Sequence, residues 1–182
     1  MYHGNNPTAV ASQRLLLNSL MKLMKEKEFK DISVSELCNL SSVSRQTFYT
    51  LFGKKENILI YQLEMSNNTK PNDESNHHID LKEICKNFAK YVSSNFDYLK
   101  MLINNDLVEI IYMYYYYTIS SCKQSFIDLN NDEKEYASQF MASGLCRLTQ
   151  TYVEKHEKAN SKELNRLSYK LLSGNIYKND KS

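Results

Sequence analysis

FKDISVSELCNLSSVSRQTFYTLFGKKENILIYQL, residues 29–63, is the stretch from which the fold is read. Ser33, with Glu36 three residues on, has the form of a capping box and opens a short helix through Leu37 and Leu40. Ser44 stands in the same place before a helix carrying Arg45, Gln46, Thr47, Phe48, Tyr49 and Thr50, which closes near Phe52–Gly53. The next helix is expected to start at Lys54 and run through Ile58, Leu59 and Leu63. Val43, Phe48 and Phe52 would turn to a small core, leaving Arg45, Gln46, Tyr49 and Thr50 on the outer face. Short helices joined by turns of three or four residues have helix-turn-helix spacing.

Upstream, Leu16, Leu20, Leu23 and Met24 recur at helical spacing between Thr8 and Glu26, with Thr8 as the expected N-cap. Residues 1–7, MYHGNNP, show no periodicity and read as a flexible arm. Downstream, residues 66–79 are strongly polar and read as a linker or loop. Further helices are expected at Asp80–Asn95, with Leu81, Ile84, Phe88 and Val92 on one stripe, at Phe96–Ile103, and at Asp106–Asp128. Asn131 or Asp132 starts a long helix to about Lys158. Asn160 with Glu163 opens a last one that carries Leu164, Leu167 and Leu171 and stops at Gly174. The domains expected are thus 1–7, 8–65, 66–79 and 80–182, all-α throughout. Four Gly and two Pro in 182 residues agree with long uninterrupted helices.

Net charge is only +2, yet it is unevenly placed. Residues 1–60 hold eight basic and five acidic side chains, and residues 61–182 hold fifteen and sixteen. The excess therefore sits where a DNA-contacting module would want it. Cys38, Cys85, Cys122 and Cys146 are scattered without metal-ligand spacing, and His77–His78 in a polar stretch read as solvated, so no metal site is expected. No Gly-rich phosphate loop or nucleophile–His–acid grouping supports an enzyme, and no cofactor is expected. The apolar run Leu107–Ile119 is short of a bilayer span and no signal peptide opens the sequence, so a cytoplasmic protein is expected.

The Ser33-led helix, the Val43-Ser44 turn, the Thr47-Phe48-Tyr49 block, then Phe52, Lys55 and Glu56, resemble the DNA-binding domain of the TetR family of bacterial transcriptional regulators. The match covers residues 8–63; the rest agrees with the family in length and helix rhythm. The resemblance implies DNA contacts from Ser33, Ser44, Arg45, Gln46, Thr47, Tyr49, Thr50, Lys54 and Lys55. The chemistry agrees: Arg reads guanine and Gln adenine by bidentate hydrogen bonds from the first turn of a recognition helix, and the hydroxyls of Thr47 and Tyr49 suit phosphate oxygens. Two lysines opening a helix oppose its macrodipole at about 0.3–1 kcal/mol each, a penalty that a docked phosphate would reverse. The resemblance points to Lys55 for that contact.

For the regulatory part, the run Tyr114–Tyr117 points around every side of its helix, so neighbours should enclose it. Phe88, Tyr112, Met113, Tyr116 and Tyr117 are the candidate lining of an aromatic pocket similar to inducer sites of the family, with core packing as the alternative reading. One three-helix reader contacts too few bases for useful specificity, so a homodimer on a pseudo-palindromic operator is expected. Its interface would take Phe140, Gly144, Arg147, Leu148, Thr151, Leu164, Leu167 and Leu171 in a four-helix contact. The expected function is a repressor released by a small-molecule effector; the alternative is a co-regulator controlled by a protein partner.

Overall fold

The computed structural model describes residues 1–67, 80–121 and 129–174, and His77, His78, Cys122 and most of the expected linker lie outside them. The chain divides into two units, Met1–Ser66 and Asn67–Ser182. Among the described residues every regular element is helical, nine α-helices and one short 3-10 turn, as an all-α fold requires.

In the first unit, α1 spans Pro7–Leu23. Its cap is Asn6 rather than Thr8: Asn6 Oδ1 accepts from the amides of Thr8 at 2.9 Å and Ala9 at 3.3 Å, and Pro7 occupies the position where a missing N–H is harmless. Residues 1–7 are not a loose arm either, because the Tyr2 amide donates to the Leu51 carbonyl at 2.7 Å. A 3-10 turn at Phe29–Asp31 leads to α2, Val34–Ser41, and α3, Arg45–Leu51, follows after three residues. Ser42 breaks the chain direction in the left-handed region (φ 55°). The last helix of this unit, α4, spans Glu56–Ser66, so Lys54 and Lys55 precede it instead of opening it.

Leu16, Leu20, Ile32, Leu37, Phe48, Phe52, Ile58, Leu59 and Leu63 are almost wholly buried and make one core beneath these short helices. Burying a side chain of this size contributes about 1.5–3 kcal/mol, which is what holds helices too short to persist alone. Ser33 caps α2 as expected, its Oγ accepting from the Glu36 amide at 3.1 Å. Only half of the capping box forms, since the Glu36 carboxylate pairs with Lys27 at 2.6 Å.

In the second unit, α5 spans Leu81–Ser94, α6 Phe96–Asn104, α7 Val108–Ser120, α8 Asn131–Lys155 and α9 Ser161–Leu172. α7 lies along α8 and α5 along α9, with α6 against both α7 and α8. Asp80 caps α5, and Cys85, not the 37% exposed Ile84, takes the inward place beside Phe88 and Val92. The reciprocal capping box falls at Asn130 and Glu133 before α8. At α9, Asn160 accepts from the Glu163 amide at 3.2 Å, while the Glu163 carboxylate lies 3.7 Å from His156. α8 ends at Lys155, three residues short of the expected Lys158, because His156 turns extended (φ −124°, ψ 146°). The expected helix to Asp128 is seen to Ser120, and residues 122–128 lie outside the described ones.

Candidate nucleic-acid interface

α3 is seven residues long and is divided cleanly by its own periodicity. Phe48 and Leu51 are buried, and Arg45, Gln46, Tyr49 and Thr50 are exposed on the opposite side. Val43 and Phe52 are buried at either end. Tyr49 is 57% exposed and rests the edge of its ring on Phe48, centroids 5.1 Å apart, which fixes the phenol without burying its hydroxyl.

The polar groups at the start of α3 are arranged by Ser44. Its Oγ accepts from the Thr47 amide at 3.0 Å and lies 2.8 Å from Thr47 Oγ1. Whichever hydroxyl donates within that pair, one O–H proton remains for an outside acceptor such as a phosphate oxygen. Thr50 differs: its Oγ1 donates to the Gln46 carbonyl at 3.0 Å, so its hydroxyl can only accept from outside. Ser33 is exposed at the start of α2, where its oxygen already serves the cap. Lys54 is exposed beside Gly53, whose φ of +74° lets the chain turn between α3 and α4.

Lys55 does not match the expected phosphate contact. Its Nζ donates to the carbonyls of Phe29 at 2.7 Å and Ile32 at 2.6 Å, reaches the Lys30 carbonyl at 3.4 Å, and stands 4.5 Å from the centroid of the Phe29 ring. An ammonium has three donors, and three carbonyls at the end of the 3-10 turn take them. The anomaly seen in the sequence, a cation beside a helix start, is thus resolved within the chain: the charge ties the start of α4 to the connection before α2.

The candidate pocket does not assemble. Phe88 faces inward and meets Tyr115 at 6.0 Å, within a cluster where Tyr91 stacks on Tyr114 at 5.1 Å. The Tyr115 hydroxyl is spent on Thr149 Oγ1 at 2.9 Å, and burial holds its pKa well above the usual phenol value. Tyr112 and Tyr116 stack on each other on the outer side, Tyr117 is exposed, Met113 is half-buried, and the Tyr116 hydroxyl donates to Glu135 at 3.0 Å. Helical spacing placed Tyr112 and Tyr114–Tyr117 on one element, α7; it did not say which of them faced the core.

The expected interface residues also separate. Phe140 is 76% exposed, Gly144, Arg147 and Thr151 are exposed and Leu148 is half-buried, all on the side of α8 away from its buried Ala142, Leu145, Cys146, Thr149 and Val153. A Cβ at Gly144 would meet nothing within 4 Å among the described residues, so none of them explains the glycine. Leu164, in contrast, is fully buried; α9 packs on α5 and not as a companion of α8, leaving Leu167 half-buried and Leu171 exposed. Among the described residues no group of three or more His, Cys, Asp or Glu could hold a metal, and no helix is long and apolar enough to cross a membrane.

An all-helical chain with two short helices joined by a three-residue turn, the second carrying an exposed polar face, is the class of structure these observations define. No family model matches the sequence. The chain is similar to the HTH-type dhaKLM operon transcriptional activator DhaS of Lactococcus lactis subsp. lactis (strain IL1403), with 21% identity over 157 residues covering 80% of this chain and 81% of that protein. Among solved structures, a dihydroxyacetone kinase operon activator DhaS matches with a TM-score of 0.50 at 18% identity, over 91% of this chain and 96% of the other. At that identity the structural likeness speaks for the fold. Both relatives are transcription regulators by name, and the kinase in the second name belongs to the operon.

Proposed function

We propose that this chain is a DNA-binding transcription regulator of the TetR type, not an enzyme, acting as a homodimer on a pseudo-palindromic operator. The observation that carries the reading is the outer face of α3, where Arg45 and Gln46 stand exposed in the first turn, next to the Ser44–Thr47 hydroxyl pair. Arg and Gln there supply bidentate readout of guanine and adenine, and Tyr49, Lys54 and the free hydroxyl proton supply backbone contacts. The exposed stripe of α8, Tyr136, Phe140, Gly144 and Thr151, supports pairing of two copies, which one reader needs for a site of useful length.

The test is selection of bound fragments from a random-sequence duplex pool. Enrichment of an inverted repeat, lost when Arg45 is replaced by Ala, supports the reading; absence of enrichment removes it. Repression is the direction expected from the sequence, and activation is the role in the names of the similar proteins. A reporter behind the enriched operator separates the two by the sign of its change when the regulator is deleted.

Control by a protein partner is the second reading, and one observation favours it over a small-molecule inducer. Phe88 joins the core while Tyr112 and Tyr116, half-buried, stack on each other and Tyr117 is exposed, so the aromatic residues that would have lined an inducer pocket do not converge. In a purified transcription reaction, a response to a cell extract's protein fraction but not to its small-molecule filtrate supports partner control, and the reverse refutes it.

A further inference from the structure

We infer that Tyr2, held in place by Gln13 and Gly4, is a positioning residue that fixes the C-terminal end of α3; the inference rests on the reading of α3 as the DNA-contacting helix. Helices shorter than about 12–15 residues are marginal alone, so the direction of α3 depends on what holds its two ends. Ser44 holds the first. At the other end the last carbonyls have no partner within the helix and need one from elsewhere. The Phe52 amide serves Phe48 at 2.8 Å, and Asn57 Nδ2 serves Phe52 at 2.7 Å. The carbonyl of Leu51, the final residue of α3, accepts from the Tyr2 amide at 2.7 Å.

Tyr2 is itself fixed from three sides. Its carbonyl accepts from Gln13 Nε2 at 3.0 Å, and Gln13 is 2% exposed, a buried amide on the helix that also buries Leu16, Leu17 and Leu20. Its ring folds back over Gly4 so closely that a Cβ there would come 2.3 Å from Tyr2 Oη. That Oη accepts from the amide of Asn6, the cap of α1, at 3.2 Å. A chain of hydrogen bonds therefore runs from the buried side of α1 through Tyr2 to the last carbonyl of α3. Tyr49 and Thr50 lie within two residues of that carbonyl, so a tilt at this end would move them off their contacts. Recognition geometry tolerates only about 0.5 Å and 10–20° of such movement.

Full-length Gln13→Met keeps the side-chain length and removes the donor; Gly4→Val displaces the Tyr2 ring at an exposed site and stands in if the first variant fails to fold. Each is titrated against the duplex that the wild type enriches from a random pool and against an unrelated duplex, well below its unfolding midpoint. Preference for the enriched duplex should fall about tenfold, with affinity for the unrelated duplex and the salt dependence unchanged. Amide exchange measured without DNA should show Tyr2 protected in the wild type and unprotected in both variants. Retained preference despite lost protection overturns the inference. So does a parallel loss on both duplexes in step with the unfolding midpoint, which would mark a merely structural bond, and so does a Tyr2 amide that exchanges freely in the wild type. A wild type that enriches no fragment overturns the DNA reading, and the positioning role falls with it; the exchange measurement tells that failure from a missing clamp.

Discussion

Replacing Lys55 with Met tests whether its cation works inside the protein or on DNA. Met keeps most of the stem over the Phe29 ring and removes the ammonium that serves Phe29, Ile32 and, more weakly, Lys30. A hydrogen bond to a charged group contributes about 1.5–3 kcal/mol and an exposed cation–π contact about 0.5–1 kcal/mol. The residue is half-buried, so water can reach part of what is lost, and a net loss of about 2–3 kcal/mol follows. For a unit of this size that corresponds to a fall of roughly 10–20 °C in melting temperature. Thermal and urea unfolding measure it, and DNA titration at several salt concentrations supplies the contrast. A phosphate contact would lower the salt slope by about one per contact. An unchanged melting temperature together with a shallower slope would refute the internal role.

Arg45→Ala and Gln46→Ala should each relax discrimination at one base position per half-site by about 1–3 kcal/mol, read on a panel of operator variants. Phe140→Asp and Gly144→Leu should give monomers by light scattering with helix content unchanged, since Phe140 is largely exposed and a Gly144 Cβ would meet none of the described residues; a stable wild-type monomer at micromolar concentration would rule out the constitutive dimer. Tyr115→Phe should destabilise by about 1–3 kcal/mol in urea, because the buried Thr149 hydroxyl loses its partner. Burial pushes the Cys146 thiol from 9.0 up to about 11. The unfolded chain gives up this proton first, so the associated stability is intact below pH 9 and drains away toward pH 11, a decline that urea titrations should find shallower in Cys146→Ala.

The helix rhythm and the two-faced α3 were legible because short-range signals govern them: Ser44 ahead of the helix, Phe48 and Phe52 at core spacing. What sequence concealed was long-range. Lys55 meets carbonyls at Phe29 and Ile32, and no local pattern reveals which cation bends inward. Gln13 left a faint signal, one amide among leucines at helical spacing, but not the identity of its acceptor. In α7, four adjacent tyrosines give no periodicity, so the division into inner Tyr114 and Tyr115 and outer Tyr116 and Tyr117 is settled only by what packs there. The same holds for α9, whose leucine stripe is apolar whichever helix it covers; α9 packs on α5, with Leu164 buried and Leu171 left exposed.

The inward turn of the Lys55 cation also bears on how such a protein would find its target. In the first unit Lys27 is paired with Glu36 and Lys30 with Glu28, while Arg45 in α3 and Lys54 just after it are exposed. Non-specific attraction to the duplex grows with the number of phosphates neutralised, and with it the time spent sliding along random sequence. A head that turns part of its positive charge inward would hold random DNA more briefly and owe more of its residence time to the bases of its operator.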